Sequence, residues 1–308
     1  MNFYQRVESN NLNEIKDIAD HNFIVETQSI KTEYDQLIPD HVAVIREDNQ
    51  QYLGTVGKSW TPVQPETIYE LGEKLIESIP NSHVSGIVNM MKGSIIGIEF
   101  KLASREYIVG DSLDINFLML TSFNGMYGIS GQATMTRLIN DAQCNTSSKV
   151  YNLRHTRFVG NRLNVVKNML KYYYKEIKIF DDKMMKLVNK RMNMNEAVEW
   201  FRSLFPVPKT SRGETKLDNE VSTFIEILNN SVGGNIIGVK GTSYGAFQAL
   251  TEYINNHRRT RIVNGRDENE VRFQSVHFGS GNALAQKALN KLTSSIVTEF
   301  SESDFMIE

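Results

Sequence analysis

The 308-residue sequence predicts an α+β fold, with an N-terminal antiparallel meander sheet, a long basic helix and a mainly helical C-terminal half. Three observations predict it. Residues 83–136 contain four extended segments with turn-forming residues at their joints. Residues from about 157 to 191 have helical periodicity instead of alternation. The later segments keep the helical period and are interrupted by prolines or polar connections.

The region 1–148 is predicted to be mainly β with one helix. Residues 1–20 suggest a leading helix or an ordered tail, and residues 66–79 form an amphipathic helix that ends at Pro80. Early strands are predicted at 22–30, 41–47 and 51–57, the last two joined at Asp48-Asn49 as a hairpin. The meander segments are 83–91, 94–103, 112–122 and 125–136. Their period-two alternation predicts a sheet with one face open to solvent.

The region 149–308 is predicted to be mainly α and to form one continuous globular unit with the first half. Helices are expected at 196–205, 217–229, 243–256 and 281–298. A polar, arginine-rich connection covers 257–270, and a short acidic tail covers 299–308. By composition the tail resembles the acidic-aromatic tails of single-strand binding proteins, so it predicts a protein partner; a frayed terminus is the alternative.

The formal net charge of −2 is distributed unevenly. Residues 1–148 carry ten basic side chains against nineteen acidic ones, whereas 149–191 carry twelve against three. A strong local field can therefore exist on a nearly neutral protein. No apolar run approaches 18 residues and the N-terminus lacks a signal-peptide core, which predicts a cytoplasmic protein with no membrane contact. A single cysteine, Cys144, excludes an intramolecular disulfide framework.

The basic helix within 149–191 is predicted to be amphipathic. Its apolar stripe contains Val166, Met169, Leu170, Tyr173, Ile177, Phe180, Met184, Leu187 and Val188. The opposite side carries Lys167, Lys171, Lys175, Lys178 and Lys186. Like charges four residues apart cost stability, so a polyanion, or the acidic N-terminal half of this chain or of a neighbouring subunit, is expected to offset them. A plain solvated face is the remaining alternative.

If the partner is a nucleic acid, these lysines are predicted to hold phosphates with the help of Arg154, Arg157 and Arg162. Tyr172 and Tyr174 flank the lysines and are predicted to stack on bases. A secondary basic cluster, Arg258, Arg259, Arg261 and Arg266, is a weaker candidate for phosphate contact.

Motifs for catalysis are lacking, so no catalytic residue, metal or cofactor is predicted. GTVGKS (54–59) has Tyr52 where a phosphate-binding loop needs glycine, and it predicts a turn at a strand end. No histidine lies three or four residues from another histidine or from Cys144. For an enzyme acting on nucleic acid or a nucleotide, the only nominees are Arg154, His155 and His257.

Four sequence stretches resemble the phage- and plasmid-like proteins grouped as domain of unknown function 932. They are HVAVIRED…YLGTVGKSWTPVQ (41–64), LMLTSFNGMYGISGQATMTRLINDAQCNT (118–146), NLRHTR (152–157) and YGAFQALTEYINNHRRTR…VHFGSGNALAQKAL (244–289). The resemblance spans about residues 40–290 and implies a phage or plasmid context, without established catalytic residues. The meander followed by a basic helix is also similar in architecture to the β-β-β-α core of phage single-strand annealing proteins.

The leading hypothesis is non-catalytic binding of single-stranded DNA or RNA in annealing, recombination or replication for a phage or plasmid, in the cytoplasm of a bacterial host. The acidic first half and the basic helix predict a head-to-tail homo-oligomer, as a ring or a filament. The alternative is an interaction protein whose basic face binds an acidic host or phage protein.

Overall fold

The computed structural model describes residues 3–146, 151–153, 162–261 and 266–294. Its strands are β1 (Tyr4–Ser9), β2 (Val25–Lys31), β3 (Leu37–Arg46), β4 (Tyr52–Gly57), β5 (His83–Met90), β6 (Ile95–Ile108), β7 (Asp111–Ser122), β8 (Ile129–Arg137), β9 (Gln143–Asn145) and β10 (Tyr151–Leu153). Its helices are α1 (Leu12–Ile18), α2 (Pro65–Ser78), α3 (Arg162–Asn189), α4 (Met194–Arg202), α5 (Ser211–Asn230), α6 (Ser243–Glu252), α7 (Glu268–Phe278) and α8 (Ser280–Thr293). A π-helical turn, Tyr253–His257, continues α6. The predicted α+β class is confirmed.

The main sheet has the strand order β1-β5-β6-β7-β8-β10, with β9 also paired to β8. Its pairings are antiparallel, and β5 to β8 are neighbours in chain order, so the predicted meander is confirmed. A smaller sheet, β2-β3-β4, contains the predicted hairpin between β3 and β4. GTVGKS (54–59) covers the end of β4 and the turn after it, so the predicted turn at a strand end is confirmed.

Period-two alternation gives the main sheet one strongly apolar face. Ile96, Ile98 and Phe100 of β6 and Ile115 and Phe117 of β7 are completely buried on it. They belong to one core cluster with residues of α2, α3, α4 and α6, so the cluster contains side chains of both halves of the chain. Each such apolar side chain contributes about 1.5–3 kcal/mol through burial.

Helix α3 packs onto this face with the apolar stripe that the sequence predicted. Met169, Tyr173, Ile177, Phe180, Met184 and Leu187 are all buried, and Leu170 and Val188 are partly buried beside them. The ring centroid of Tyr173 lies 6.0 Å from that of Phe117 on β7. The apolar stripe therefore fixes which side of α3 points to solvent.

Four of the described elements were not predicted, namely the strands β1, β9 and β10 and the helix α7. Strand β1 pairs with β5 at the edge of the main sheet, and only α1 matches the helix expected within residues 1–20. Helix α7 begins inside the predicted polar connection 257–270. Its buried residues are only Phe273, Val276 and His277, which is too sparse a stripe to signal a helix.

Helix α7 changes the expectation of an open sheet face. Phe273 packs against Val88, Leu118 and Leu120 on the second face of the sheet, so part of that face is covered. Helix α8 ends at Thr293, and residues 295–298 of its predicted range lie outside the described residues. Among the described helices, none has the length and apolar character needed to span a membrane.

Candidate nucleic-acid interface

The solvent side of α3 carries a short cationic stripe. Lys167, Lys171, Lys175 and Lys178 are exposed and recur three or four residues apart. At 1.5 Å per residue they extend over roughly 16 Å of the helix. In the part of the chain that the structure describes, Lys167, Lys171 and Lys178 take part in no ion pair. Their charges therefore face solvent without an internal partner.

The acids of α3 do not interrupt this stripe. Glu176 is 4% exposed and points into the core. Asp181 accepts hydrogen bonds from Arg105 Nε, at 3.3 Å, and from the Tyr107 hydroxyl, which fixes α3 to the end of β6. Asp182 is exposed, but it lies beyond Lys178. The charged side chains that α3 itself exposes between Lys167 and Lys178 are therefore all lysines.

Two lysines, Lys183 near the end of α3 and Lys190 just after it, contact α8. Lys183 Nζ donates to Asn290 Oδ1 at 3.4 Å, and burial lowers the pKa of Lys183. Lys190 Nζ donates to the Leu292 carbonyl at 3.2 Å. Lys186, which the sequence assigned to the cationic face, is half-buried. The strongly exposed part of the face therefore ends near Lys178.

Of the two tyrosines predicted to stack on bases, Tyr174 has the more accessible ring. It is 55% exposed, and its helical position places it next to Lys171 and Lys178. Its ring centroid is 5.4 Å from that of the buried Tyr173, which supports it from behind. Tyr172 is half-buried and already engaged in a contact.

The predicted arginines and the acidic tail are only partly within the described structure. Arg154 and Arg157 lie outside the described residues, as do His155 and the tail 299–308. Arg162 is the first residue of α3.

The structure divides the secondary basic cluster. Arg266, two residues before α7, forms an ion pair with Glu270 of α7, with Arg266 Nη2 2.7 Å from Glu270 Oε1. Arg261 is exposed just before the gap in the described residues. Arg258 and Arg259 instead follow the π-helical turn and line a groove against α5. The four arginines therefore do not form a single surface.

A polar cavity of about 330 Å³ lies on the second face of the main sheet, and sequence reasoning missed it. The carboxyl group of Glu99 lies at its base, 2% exposed. Tyr4 OH and Thr134 Oγ1 donate to it at 2.6 and 3.0 Å. Burial raises the pKa of Glu99. Alternation along β6 puts Glu99 and Lys101 on one face, which was the signal available in the sequence.

The other polar groups of this cavity are largely paired with one another. Lys101 Nζ lies 2.8 Å from Asp114 Oδ1, and Asn116 Nδ2 donates to Thr136 Oγ1 at 3.0 Å. Asn116 Oδ1 is buried without a partner. Across the described residues, no group of three or more His, Cys, Asp or Glu side chains is arranged to hold a metal ion.

The variant Glu99→Gln is expected to make stability less sensitive to pH. The pKa of Glu99 is raised in the folded protein. Its protonated carboxyl group therefore contributes fully to the free energy of unfolding at low pH, and this contribution is lost as pH rises toward the native pKa. Glutamine cannot ionise. As pH rises toward the native pKa of Glu99, the free energy of unfolding of the variant should therefore rise relative to that of the wild type, by up to roughly 1 kcal/mol per pH unit. Urea unfolding at several pH values from about 5 to 8 measures the difference.

The exposed Glu73 of α2 provides the matched control. Glu73→Gln should shift stability by less than about 0.5 kcal/mol at every pH. A constant offset between Glu99→Gln and the wild type across the pH range would show that Glu99 does not titrate in the way its burial implies.

The fold defines an α+β protein with one main antiparallel sheet. The basic helix α3 packs on the apolar face of this sheet, and a polar cavity lies on the opposite face. The chain belongs to the family described as Domain of unknown function (DUF932), whose model matches residues 52–277. The resemblance inferred from the sequence is thereby confirmed, while the phage or plasmid origin stays a prediction. The matched span runs from β4 into α7 and includes α3 and Glu99. No curated protein and no solved structure matches the chain.

Proposed function

We propose that the protein binds single-stranded nucleic acid without catalysis, through the exposed face of α3. The observation that supports this most is one solvent-facing stripe of four exposed lysines, Lys167, Lys171, Lys175 and Lys178. Within the described residues, Lys167, Lys171 and Lys178 take part in no ion pair. Repulsion along a stripe of like charges destabilises the free protein, and the negative charges of a phosphate backbone offset that repulsion.

Tyr174 adds a feature that a plain cationic face lacks. Its exposed ring lies among the lysines, and bases stack on aromatic rings beside a basic track with about 1–3 kcal/mol per base. This combination favours a single strand, whose bases are accessible, over a duplex, whose bases are paired. Annealing or recombination in a ring or filament is the biological setting that we propose for this binding.

The acidic first half supports the assembly part of the proposal. Residues 1–148 carry a formal charge of −9, and residues 149–191 carry +9. Contact between the acidic surface of one subunit and the basic helix of the next would be favourable, and it would compete with nucleic acid for the same lysines. Binding and assembly are therefore expected to depend on salt together.

Titration of fluorescently labelled oligo-dT at increasing salt tests the proposal. Four phosphate contacts on a single strand predict a slope of about −3 in a plot of log affinity against log salt, from roughly 0.7 per contact. Labelled oligo-U in parallel separates DNA from RNA preference. Folded protein that binds neither strand at about 50 mM salt would overturn the proposal and favour an acidic protein as the partner.

A further inference from the structure

A second basic surface lies away from α3, in a groove between the first turns of α5 and the π-helical turn. Two adjoining cavities of about 670 and 520 Å³ form this groove. They share Gly213, Lys216, Glu220 and Arg259, so one surface continues into the other. Sequence-distant stretches meet here, residues 209–216 from one side and 257–259 from the other.

The groove is rich in unpaired positive charge. Its basic lining residues are Lys209, Arg212, Lys216, His257, Arg258 and Arg259. In the described structure none of them takes part in an ion pair. Glu220 is the single carboxylate among the lining residues, and it acts electrostatically on the half-buried Arg258. The lining therefore has a clear excess of cations.

Two buried polar atoms of the lining residues provide an independent sign of a ligand. Tyr253 is only 2% exposed, and its hydroxyl has no hydrogen-bond partner. Arg258 Nη1 is likewise buried without a partner. A buried polar group without a partner costs about 1–3 kcal/mol, so such groups call for an explanation. Both can donate a hydrogen bond, and the surrounding guanidinium and ammonium groups can only donate.

We propose that this groove binds the phosphate groups of a nucleotide or of a nucleic-acid chain. A phosphate supplies negative charge and several acceptor oxygens, which match a lining of unpaired cations and unpartnered donors. Guanidinium groups suit phosphate especially well because they can donate two parallel hydrogen bonds. An apolar wall adjoins the cations, with Val207 87% exposed, and it offers a surface for a sugar or a base.

The groove also contains a helix feature that favours an anion. Arg212 and Gly213 lie in the first turn of α5, where the Thr210 side chain caps the Gly213 amide. The positive end of the helix dipole adds to the field of the side chains there. The proposal stands independently of nucleic-acid binding by α3, because it concerns different residues on different elements.

Calorimetric titration with pyrophosphate at low ionic strength tests the groove directly. The double variant Arg212→Gln/Lys216→Gln changes two exposed side chains and should weaken pyrophosphate binding by at least about 10-fold. Tyr253→Phe removes only the unpartnered hydroxyl, and it should weaken binding several-fold without lowering thermal stability. Lys58→Gln/Lys240→Gln, at two exposed lysines outside both surfaces, should leave binding unchanged.

Competition identifies the source of the phosphate. In the triple variant Lys167→Gln/Lys171→Gln/Lys178→Gln, pyrophosphate binding should persist, which separates the groove from α3. Displacement of pyrophosphate by oligo-dT in that variant assigns the groove to a nucleic-acid chain, and displacement only by a nucleoside triphosphate assigns it to a free nucleotide. A dissociation constant weaker than about 1 mM for the wild type, or unchanged binding in Arg212→Gln/Lys216→Gln, would overturn the inference.

Discussion

The triple variant Lys167→Gln/Lys171→Gln/Lys178→Gln is expected to bind labelled oligo-dT about 100- to 1,000-fold more weakly than the wild type at roughly 50 mM salt. Each lost phosphate contact removes about 0.7 from the salt slope, so three contacts lower the slope by about 2. The side chains are exposed and unpaired, so their removal leaves the core of α3 intact. Fluorescence anisotropy at several salt concentrations measures both quantities.

A matched control uses three exposed lysines elsewhere, Lys31, Lys58 and Lys240. Replacing them by glutamine makes the same change in net charge, so it separates a local site from general attraction. The control variant should keep the wild-type salt slope, and the α3 variant should keep or slightly raise its melting temperature because repulsion between like charges is relieved. Equal loss of affinity in the two variants would mean that α3 is not the binding surface.

The variant Arg137→Met is expected to lower the free energy of unfolding by about 3–5 kcal/mol. Arg137 and Asp111 form a buried ion pair, with side chains 1% and 0% exposed. Arg137 Nε and Nη2 lie 2.7 and 2.8 Å from the two carboxylate oxygens, and Nη2 also donates to the Gly233 carbonyl at 2.9 Å. Without the guanidinium, the Asp111 charge stays buried and unpaired. Urea unfolding measures the loss.

Two comparisons make this result specific to the buried pair. The double variant Asp111→Leu/Arg137→Met should recover most of the stability, because replacing both partners leaves no uncompensated charge. Arg202→Met breaks an exposed pair with Asp218, whose side chains are 44% and 58% exposed, and should cost less than about 1 kcal/mol. A loss below about 1 kcal/mol in Arg137→Met itself would contradict the role assigned to the pair.

Local periodicity predicted the elements that have a strong pattern of their own. The alternation of β6 and β7 and the stripe from Met169 to Leu187 each repeat over several turns or residue pairs, so the meander and α3 were correctly predicted. Strand β1 and helix α7 have weak patterns, and partners that are distant in sequence stabilise them. Tyr4 pairs opposite Val88, and Phe273 packs against Leu118 and Leu120.

For the candidate sites as well, helical periodicity predicted positions within one helix, whereas contacts between elements were not predicted. Helical period by itself placed Lys167, Lys171 and Lys178 opposite the core, because residues three or four apart share a face wherever the helix lies. It also grouped Lys186 with them, although Lys186 is half-buried in the folded protein. Grouping by proximity in sequence joined Arg266 to Arg258, although an ion pair with Glu270 of α7 holds Arg266.

The sequence by itself determined the α+β class, the family and a cationic face on α3, because local periodicity, matching sequence stretches and the spacing of lysines can be read before the chain is folded. Only the tertiary structure decided which lysines stay exposed, that Glu99 lies buried in a polar cavity, and that Arg212 and Arg259 line one groove. Those features depend on segments that are far apart along the chain. Local periodicity carries no information about such neighbours, and packing of the sheet and helices supplies it.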